Sequence, residues 1–426
     1  MDKKINKILL WLIVGMLILP LLQYYTSVVF VKPLHGSYIK HQEPEFSIKG
    51  WFNNDFQKKF DSYYNQNFGF RSELVRLHNQ LEYSLYNKVN ANDVVVGKDN
   101  YLYEKHYIIS YQGGDFIGRD SIYSRVEKIQ TIYRELQKHQ TELLVVIAPG
   151  KGWFYPEFIP DSMLSKRDTT NYEIYLEALN EAEIPLIDFN DLFLQMKDTS
   201  SIVIYPKTGI HWSQGIIPFV ADSIFKKIES LINRDLPHIY WERTANVSRA
   251  DKQDADIEKG LNLLLPLKVP PMNYPKITFE KFDQKSKPKA ITIADSFWWQ
   301  LFNLGVSKKV FDQGKFWYYY KQIYPDSFDK PLMVQDIDAK EDLYQTDIVV
   351  LMATETNLYK FPYGFENVLE APISDSLFQA KVERLMRYIK TDEKWFEKIK
   401  QKAILNNIPI DSMLYLDAKY TVSNQK

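Results

Sequence analysis

The sequence predicts an α/β fold built on a mainly parallel central sheet, and three observations carry that reading. Leu143-Leu-Val-Val-Ile-Ala148 and Asp347-Ile-Val-Val-Leu-Met352 are continuous apolar runs, the pattern of strands buried on both faces. Ile291-Thr-Ile-Ala294 is a shorter β-branched run that stops at Asp295-Ser296-Phe297. Segments of helical period separate the runs, and alternation of strand and helix is what a parallel sheet with helical crossovers requires. With 45% hydrophobic and 25% charged residues in 426, the chain has the composition of a folded protein. The net charge of −1 supplies no basic field and gives no reason to expect nucleic acid as a partner. The absence of cysteine removes disulfides, thiol catalysis and cysteine-ligated metal.

In chain order, Lys3, Lys4 and Lys7 precede the apolar run Ile8 to Leu22, and weaker apolar character continues to Val31. Basic residues before such a run favour a cytoplasmic N-terminus. No small-residue cleavage site follows, so residues 1–32 read as an uncleaved membrane anchor and residues 33–426 as an extracytoplasmic domain. Leu74, Leu77, Leu81 and Leu85 recur at spacings of three and four within 73–88, an amphipathic helix. Val94 to Tyr103 reads as strand, turn at Gly97 to Asn100, and strand. A helix at about 120–138 leads into the run 143–148. Gly150-Lys-Gly152 after it lacks P-loop spacing and is not a nucleotide site.

A helix at 170–181 and a strand from Ile184 to Phe189 continue the alternation. Lys207-Thr-Gly-Ile-His-Trp-Ser213 follows, then a helix at about 214–231. The polar, Pro-rich stretch 233–288 reads as an insertion or a cleft cover. After the strands at 290–294 and 347–352, an amphipathic helix at 376–403 opens a C-terminal helical extension, 376–426.

Serine at the end of a buried strand lies at the rim where open α/β sheets keep their ligands, and it needs a base to act as a nucleophile. Ser296 is therefore the candidate nucleophile and His211 its candidate base. The structural alternatives are a helix cap for Ser296 and a core group for His211. The other histidines, His35, His41, His78, His106, His139 and His238, read as structural or solvated.

Four stretches carry a family resemblance: Val94 to Tyr103; Ala148-Pro-Gly-Lys with Tyr155-Pro-Glu157 soon after; Lys207 to Ser213; and Ile293-Ala-Asp-Ser-Phe297. Their wording and order resemble the alginate O-acetylation family of the SGNH (GDSL-like) hydrolase superfamily, in which a permuted domain puts the histidine motif before the serine motif. The resemblance spans about 50–360. It implies a three-layer SGNH-type sandwich, a Ser/His site, and acetyl transfer to an extracytoplasmic polysaccharide, with a multi-pass membrane acyltransferase as acetyl donor. No cofactor or metal is expected.

Two positions depart from the family pattern. Ala294 stands where the serine block usually begins with glycine. Gly209 stands where an aspartate usually precedes the histidine by two residues, so the acid that would fix the histidine tautomer is missing there. Glu355 is a candidate replacement, Asp295 a candidate turn-holder, and Asn357 a candidate oxyanion donor. Trp212, Trp298 and Trp299 flank the reactive pair and are candidate sugar-stacking walls, with packing of the sheet rim as the competing reading. The functions consistent with these features are a polysaccharide O-acetyltransferase, an acetylesterase with the same residues, and a non-catalytic polysaccharide-binding or assembly protein.

Overall fold

Seven strands form the central sheet of the computed structural model, which describes residues 3–36, 41–244, 246–281, 287–327, 330–370 and 375–424. In chain order they are β1 (Glu142–Ala148), β2 (Leu186–Asp188), β3 (Ala290–Ala294), β4 (Lys315–Tyr318), β5 (Gln322–Ser327), β6 (Lys330–Met333) and β7 (Ile348–Thr354). Their spatial order is β6-β5-β4-β3-β7-β1-β2. The five strands from β4 to β2 are mutually parallel. β5 and β6 add an antiparallel edge, so the sheet is mixed rather than parallel throughout. The connection from β4 to β5, residues 319–321, is a three-residue turn, and so short a link is open only to antiparallel neighbours.

The apolar runs are continuous because both faces of the sheet are covered. Leu144, Val146, Ala148, Ala294, Val350 and Met352 point into one core with the helices Phe189–Met196, Ile217–Ile232 and Trp298–Asn303. Their sequence neighbours Leu143, Val145, Ile147, Ile293, Val349 and Leu351 point into a second core with the helices Arg119–Lys138 and Asn171–Glu181. That alternation is the two-residue period of a strand, and it makes a three-layer sandwich. Each fully buried aliphatic side chain contributes about 1.5–3 kcal/mol, so the two cores hold the rim rigidly. Helix Asn171–Glu181 starts at a capping box: Thr170 accepts from the Glu173 N–H, and the Glu173 carboxylate accepts from the Thr170 N–H.

Register brings the carboxyl ends of three strands together, since Thr354 of β7 lies opposite Ala148 of β1 and Met352 opposite Ala294 of β3. Ser296, Glu355 and Pro149 follow those ends. The stretch 233–288 lies outside the sheet and forms an arm. Ile239–Glu242 pairs antiparallel with Lys276–Phe279, a bridge joins Val247 to Met272, and between them lies the short helix Asp256–Leu261. Residues 245 and 282–286 of this stretch lie outside the described residues.

The predicted helix 376–403 is two helices, Asp375–Thr391 and Glu393–Asn406, because the Asp392 side chain caps the second by accepting from the Trp395 N–H. With Ile410–Asn424 they enclose a small core of their own containing Val382, Ile389, Ile399, Leu414 and Ala418. At the other end, Lys3–Thr26 is a single helix whose Lys4–Thr26 stretch is long and apolar enough to cross a membrane. Helices Asp55–Asn67 and Arg71–Tyr86 follow. The amphipathic helix expected at 73–88 forms, but Leu74, Leu77, Leu81 and Leu85 face solvent, since its polar side does the docking: Asn79 donates to the Leu261 carbonyl and Gln80 accepts from the Leu265 N–H.

Candidate active site

β3 delivers Ser296 to the rim, and the turn that presents it is held by Asp295. The Asp295 carboxylate is fully buried and accepts four hydrogen bonds, from the Phe297 N–H (3.1 Å), the Thr354 N–H and Oγ1 (2.7 Å each) and Asn357 Nδ2 (2.8 Å). Asp295 thereby ties the end of β3 to the end of β7. The same bonds account for Asn357: its amide N–H points at Asp295, a positioning contact, rather than standing ready for an oxyanion.

His211 arrives on an irregular loop that has no ladder to hold it, so its carbonyls are anchored individually. Lys151, completely buried after β1, donates from Nζ to the carbonyls of Gly209 (2.7 Å) and Lys207 (3.1 Å). Gln300, on the helix that follows Ser296, donates to the Trp212 carbonyl at 3.0 Å. Burial pushes the Lys151 amine down to about 7, partly offset by the charge of Asp256.

These supports bring His211 Nε2 to 3.0 Å from Ser296 Oγ, and Asp256 Oδ2 to 2.6 Å from His211 Nδ1. Asp256 is locked in turn, because its Oδ1 accepts from the N–H groups of Ile210 (2.9 Å) and Ile257 (2.7 Å). With a proton on Nδ1 directed at Asp256, Nε2 is the lone-pair nitrogen facing the serine. Ser296 is half-buried, and the His211 ring packs on Phe297 at 4.7 Å between centroids, so the line of three groups is supported on one side and open on the other.

The carboxylate on His211 is thus Asp256, which the sequence reading did not single out, and not Glu355. Glu355 turns the other way at the end of β7, into full burial over Gly150, where a Cβ would come within 2.2 Å of its Oε2. Burial and the nearby Asp115 charge push its carboxyl up to about 8. Gly209 explains the exchange of acids. A Cβ on Gly209 would lie 2.5 Å from the Gln253 carbonyl oxygen and 2.9 Å from that of Asp254, closer than any side chain tolerates. The arm packs where any side chain at 209 would stand, and Thr208 Oγ1 donates to the Asp254 carbonyl at 2.7 Å to hold it there. Four acids, Asp251, Asp254, Asp256 and Glu258, lie close together in this stretch, and no spacing distinguishes the one that reaches His211.

The tryptophans are corrected more simply. Trp212 and Trp298 are core residues, Trp212 packed among Phe189, Phe193 and Phe297, which leaves neither with an open ring face. Trp299 is boxed in by Phe302, Phe316, Tyr318 and Tyr324. Rim packing, not sugar stacking, is their role. Among the described residues no group of three or more His, Asp and Glu side chains is arranged to hold a metal.

A strand-end serine, a loop histidine and an arm aspartate stand in hydrogen-bonded line at the rim of a three-layer α/β sandwich, the geometry of a base-activated serine nucleophile. Residues 94–287 match the family model described as "SGNH hydrolase-like domain, acetyltransferase AlgX", a span that contains His211 and Asp256 and ends before Ser296. The chain is 24% identical over 195 residues to the "Probable alginate O-acetylase AlgJ" of Pseudomonas aeruginosa, an alignment covering 46% of this chain and 48% of that one, so it matches about half the length of this relative. Over this stretch the chain is thus similar to the alginate O-acetyltransferase-like branch of the SGNH hydrolase-like proteins. Among solved structures it is similar to the O-acetyltransferase domain of Pseudomonas putida AlgJ (18% identity, 66% of this chain and 99% of that one, TM-score 0.45) and to Bacillus cereus PatB1 (12% identity, 63% and 97%, TM-score 0.41).

Proposed function

We propose that this protein is a membrane-anchored O-acetyltransferase that moves acetyl groups onto an extracytoplasmic polysaccharide through an acetyl-serine. The observation that carries the reading is the alignment of Ser296 Oγ, His211 Nε2 and Asp256 at 3.0 and 2.6 Å. His211 takes the Ser296 proton as Oγ attacks the acetyl carbonyl, and Asp256 stabilises the imidazolium. Collapse of the tetrahedral intermediate breaks the bond to the donor's leaving group, which receives the proton from His211 and leaves acetyl on Oγ. A sugar hydroxyl then gives its proton to His211 and attacks the same carbonyl. The Ser296 Oγ–carbon bond breaks, and the proton returns to Oγ.

Transfer is preferred to simple hydrolysis because the Pseudomonas aeruginosa relative is named a probable alginate O-acetylase. A single apolar N-terminal helix fits an anchor with the site outside the cytoplasm, within reach of a multi-pass membrane acyltransferase as donor. Gly209, the one feature that favours a degenerate, non-catalytic site, loses its force once Asp256 stands behind His211. The test incubates the purified chain with a chromogenic acetyl ester, alongside Ser296→Ala and His211→Ala. Wild type should release chromophore and trap acetyl on Ser296, and both variants should fall to background. Equal rates in all three would end the catalytic reading. Acetylated oligosaccharide, sought by mass spectrometry when acceptor sugars are added, separates transferase from esterase.

A further inference from the structure

Between the apolar N-terminal helix and the catalytic domain, the chain exposes a continuous stripe of rings. On helix Asp55–Asn67, Phe56, Phe60 and Tyr64 fall four residues apart and stack in sequence, with centroids at 5.8 Å (Phe56–Phe60) and 6.1 Å (Phe60–Tyr64) and interplanar angles of 21° and 14°. Phe68 extends the row at 6.0 Å from Tyr64, and Phe46 and Trp51 pack on Phe56 at its other end. Scattered exposed apolar residues are ordinary on soluble proteins, but a contiguous ring row is a binding face. Phe52 is 85% exposed and Phe60 46%, with Phe46, Ile48, Trp51 and Tyr64 also open to solvent.

The position of the row points to what covers it. Gly69, two residues beyond the row's helix, is seated on the last turns of the apolar N-terminal helix: a Cβ there would lie 2.1 Å from the Pro20 carbonyl oxygen and 2.8 Å from the Tyr24 nitrogen. Tyr63, on the flank of the ring row, hydrogen-bonds Tyr24 at 3.1 Å between hydroxyl oxygens. At the exit of that helix, the Gln23 side chain closes a turn with both the N–H (3.1 Å) and the carbonyl (2.6 Å) of Val29. If the N-terminal helix spans a bilayer, these contacts hold helix Asp55–Asn67 at the level where the span leaves the hydrocarbon. Aromatic side chains partition to that level, and helices with one apolar and one polar face lie along it. Lys58 and Lys59 keep the opposite side charged and exposed.

We propose that Phe46, Trp51, Phe52, Phe60 and Tyr64 form a second membrane contact, with helix Asp55–Asn67 lying in the bilayer interface on the side where the catalytic domain stands. The occupant is lipid, met by about 20 Å of in-plane helix at 1.5 Å per residue. Two attachments, one spanning and one lying flat, remove the rotational freedom that a single helix would leave, and so fix which way the Ser296 rim faces. The inference rests on reading the N-terminal helix as an anchor, and the test separates the two.

The chain has no cysteine, so single-cysteine variants can be labelled at one place. Full-length Phe60→Cys, Ile13→Cys and Lys138→Cys, each carrying an environment-sensitive fluorophore, are reconstituted into phosphatidylethanolamine/phosphatidylglycerol vesicles with nitroxide lipids of shallow or deep position. The probe at Phe60 should shift to shorter wavelength and lose most of its emission to the shallow nitroxide. The probe at Ile13 should be lost to the deep one and the probe at Lys138 to neither. Deep quenching at Ile13 with an unquenched, water-like probe at Phe60 overturns the interfacial contact and leaves the anchor standing. An unquenched Ile13 probe overturns the anchor and the contact together. An emission shift at Phe60 produced by added oligosaccharide, with no quenching by either nitroxide, assigns the row to glycan and overturns the lipid assignment.

Discussion

At the scale of single residues, the site turns on which acid stands behind His211. Asp256 holds the imidazole tautomer and answers its charge, and removing such an acid from a Ser-His-Asp set costs roughly 10³- to 10⁴-fold in turnover. Asp256→Asn should therefore lose activity on an acetyl ester by about that factor while far-UV circular dichroism stays that of wild type. Glu355→Ala, by contrast, should not reproduce that loss, because Glu355 lies over Gly150. Glu355 belongs to stability instead. Its carboxyl is raised to about 8 by burial, against an ordinary value of 4.5 in the unfolded chain. The folded state keeps a proton the unfolded state has lost, so this contribution is complete below about pH 4.5 and is lost as pH rises through 8. Urea titrations from pH 5 to 9 should show stability falling across that window, and Glu355→Gln should flatten the fall.

At the scale of elements, the strand that carries Ser296 and the loop that carries His211 are legible for different reasons. β3 announces itself by β-branched residues and by ending on a polar turn. The His211 loop is irregular and has no period, so its residues attract notice only as a resemblance. Asp256 has neither signal: it sits on a six-residue helix in a polar stretch, and its role exists only through packing against Gly209. The tryptophans mislead for a related reason. Nearness in sequence to reactive residues says nothing about which face of the rim a large ring fills, and Trp212 and Trp298 fill the inner one. Lys151 is the element-level link, since one buried amine holds two carbonyls of the histidine loop. Lys151→Met should leave the cores intact, and misplacing His211 by an ångström should lower kcat about 10- to 100-fold with little change in KM for a small ester.

For the whole molecule, the three-layer class follows from sequence because the apolar runs state burial on both faces, whereas the antiparallel edge begins at the turn 319–321, which runs of apolar residues do not encode. The C-terminal helices have a core of their own and meet the rest of the chain at the Lys381–Asp338 ion pair. Their core of Val382, Ile389, Ile399, Leu414 and Ala418 does not include sheet residues. Deleting residues 375–426 should leave the acetyl-esterase rate and the labelling of Ser296 by a sulfonyl fluoride at wild-type levels. The N-terminal helices are not separable in that way, because helix Arg71–Tyr86 is bonded to Leu261 and Leu265, a few residues from Asp256. Soluble truncations that begin after residue 88 should fold around the sheet and yet be slow.

The glycine at 209 also has a consequence for how the proposed site would fail. Where base and acid share one loop, they are lost together when the fold melts. Here the acid rides on the arm 239–279, so undocking that arm disarms His211 while the sandwich stays whole. The arm carries Asp254, whose buried carboxyl is pushed up to about 7 and whose Oδ1 accepts from the Gln214 N–H at 2.9 Å. This contribution to docking is complete below about pH 3.8 and is lost as pH rises through 7. Inactivation should precede denaturation: in a urea series the acetyl-esterase activity should vanish at a lower midpoint than the circular dichroism, and the activity midpoint should fall from pH 5 to pH 7.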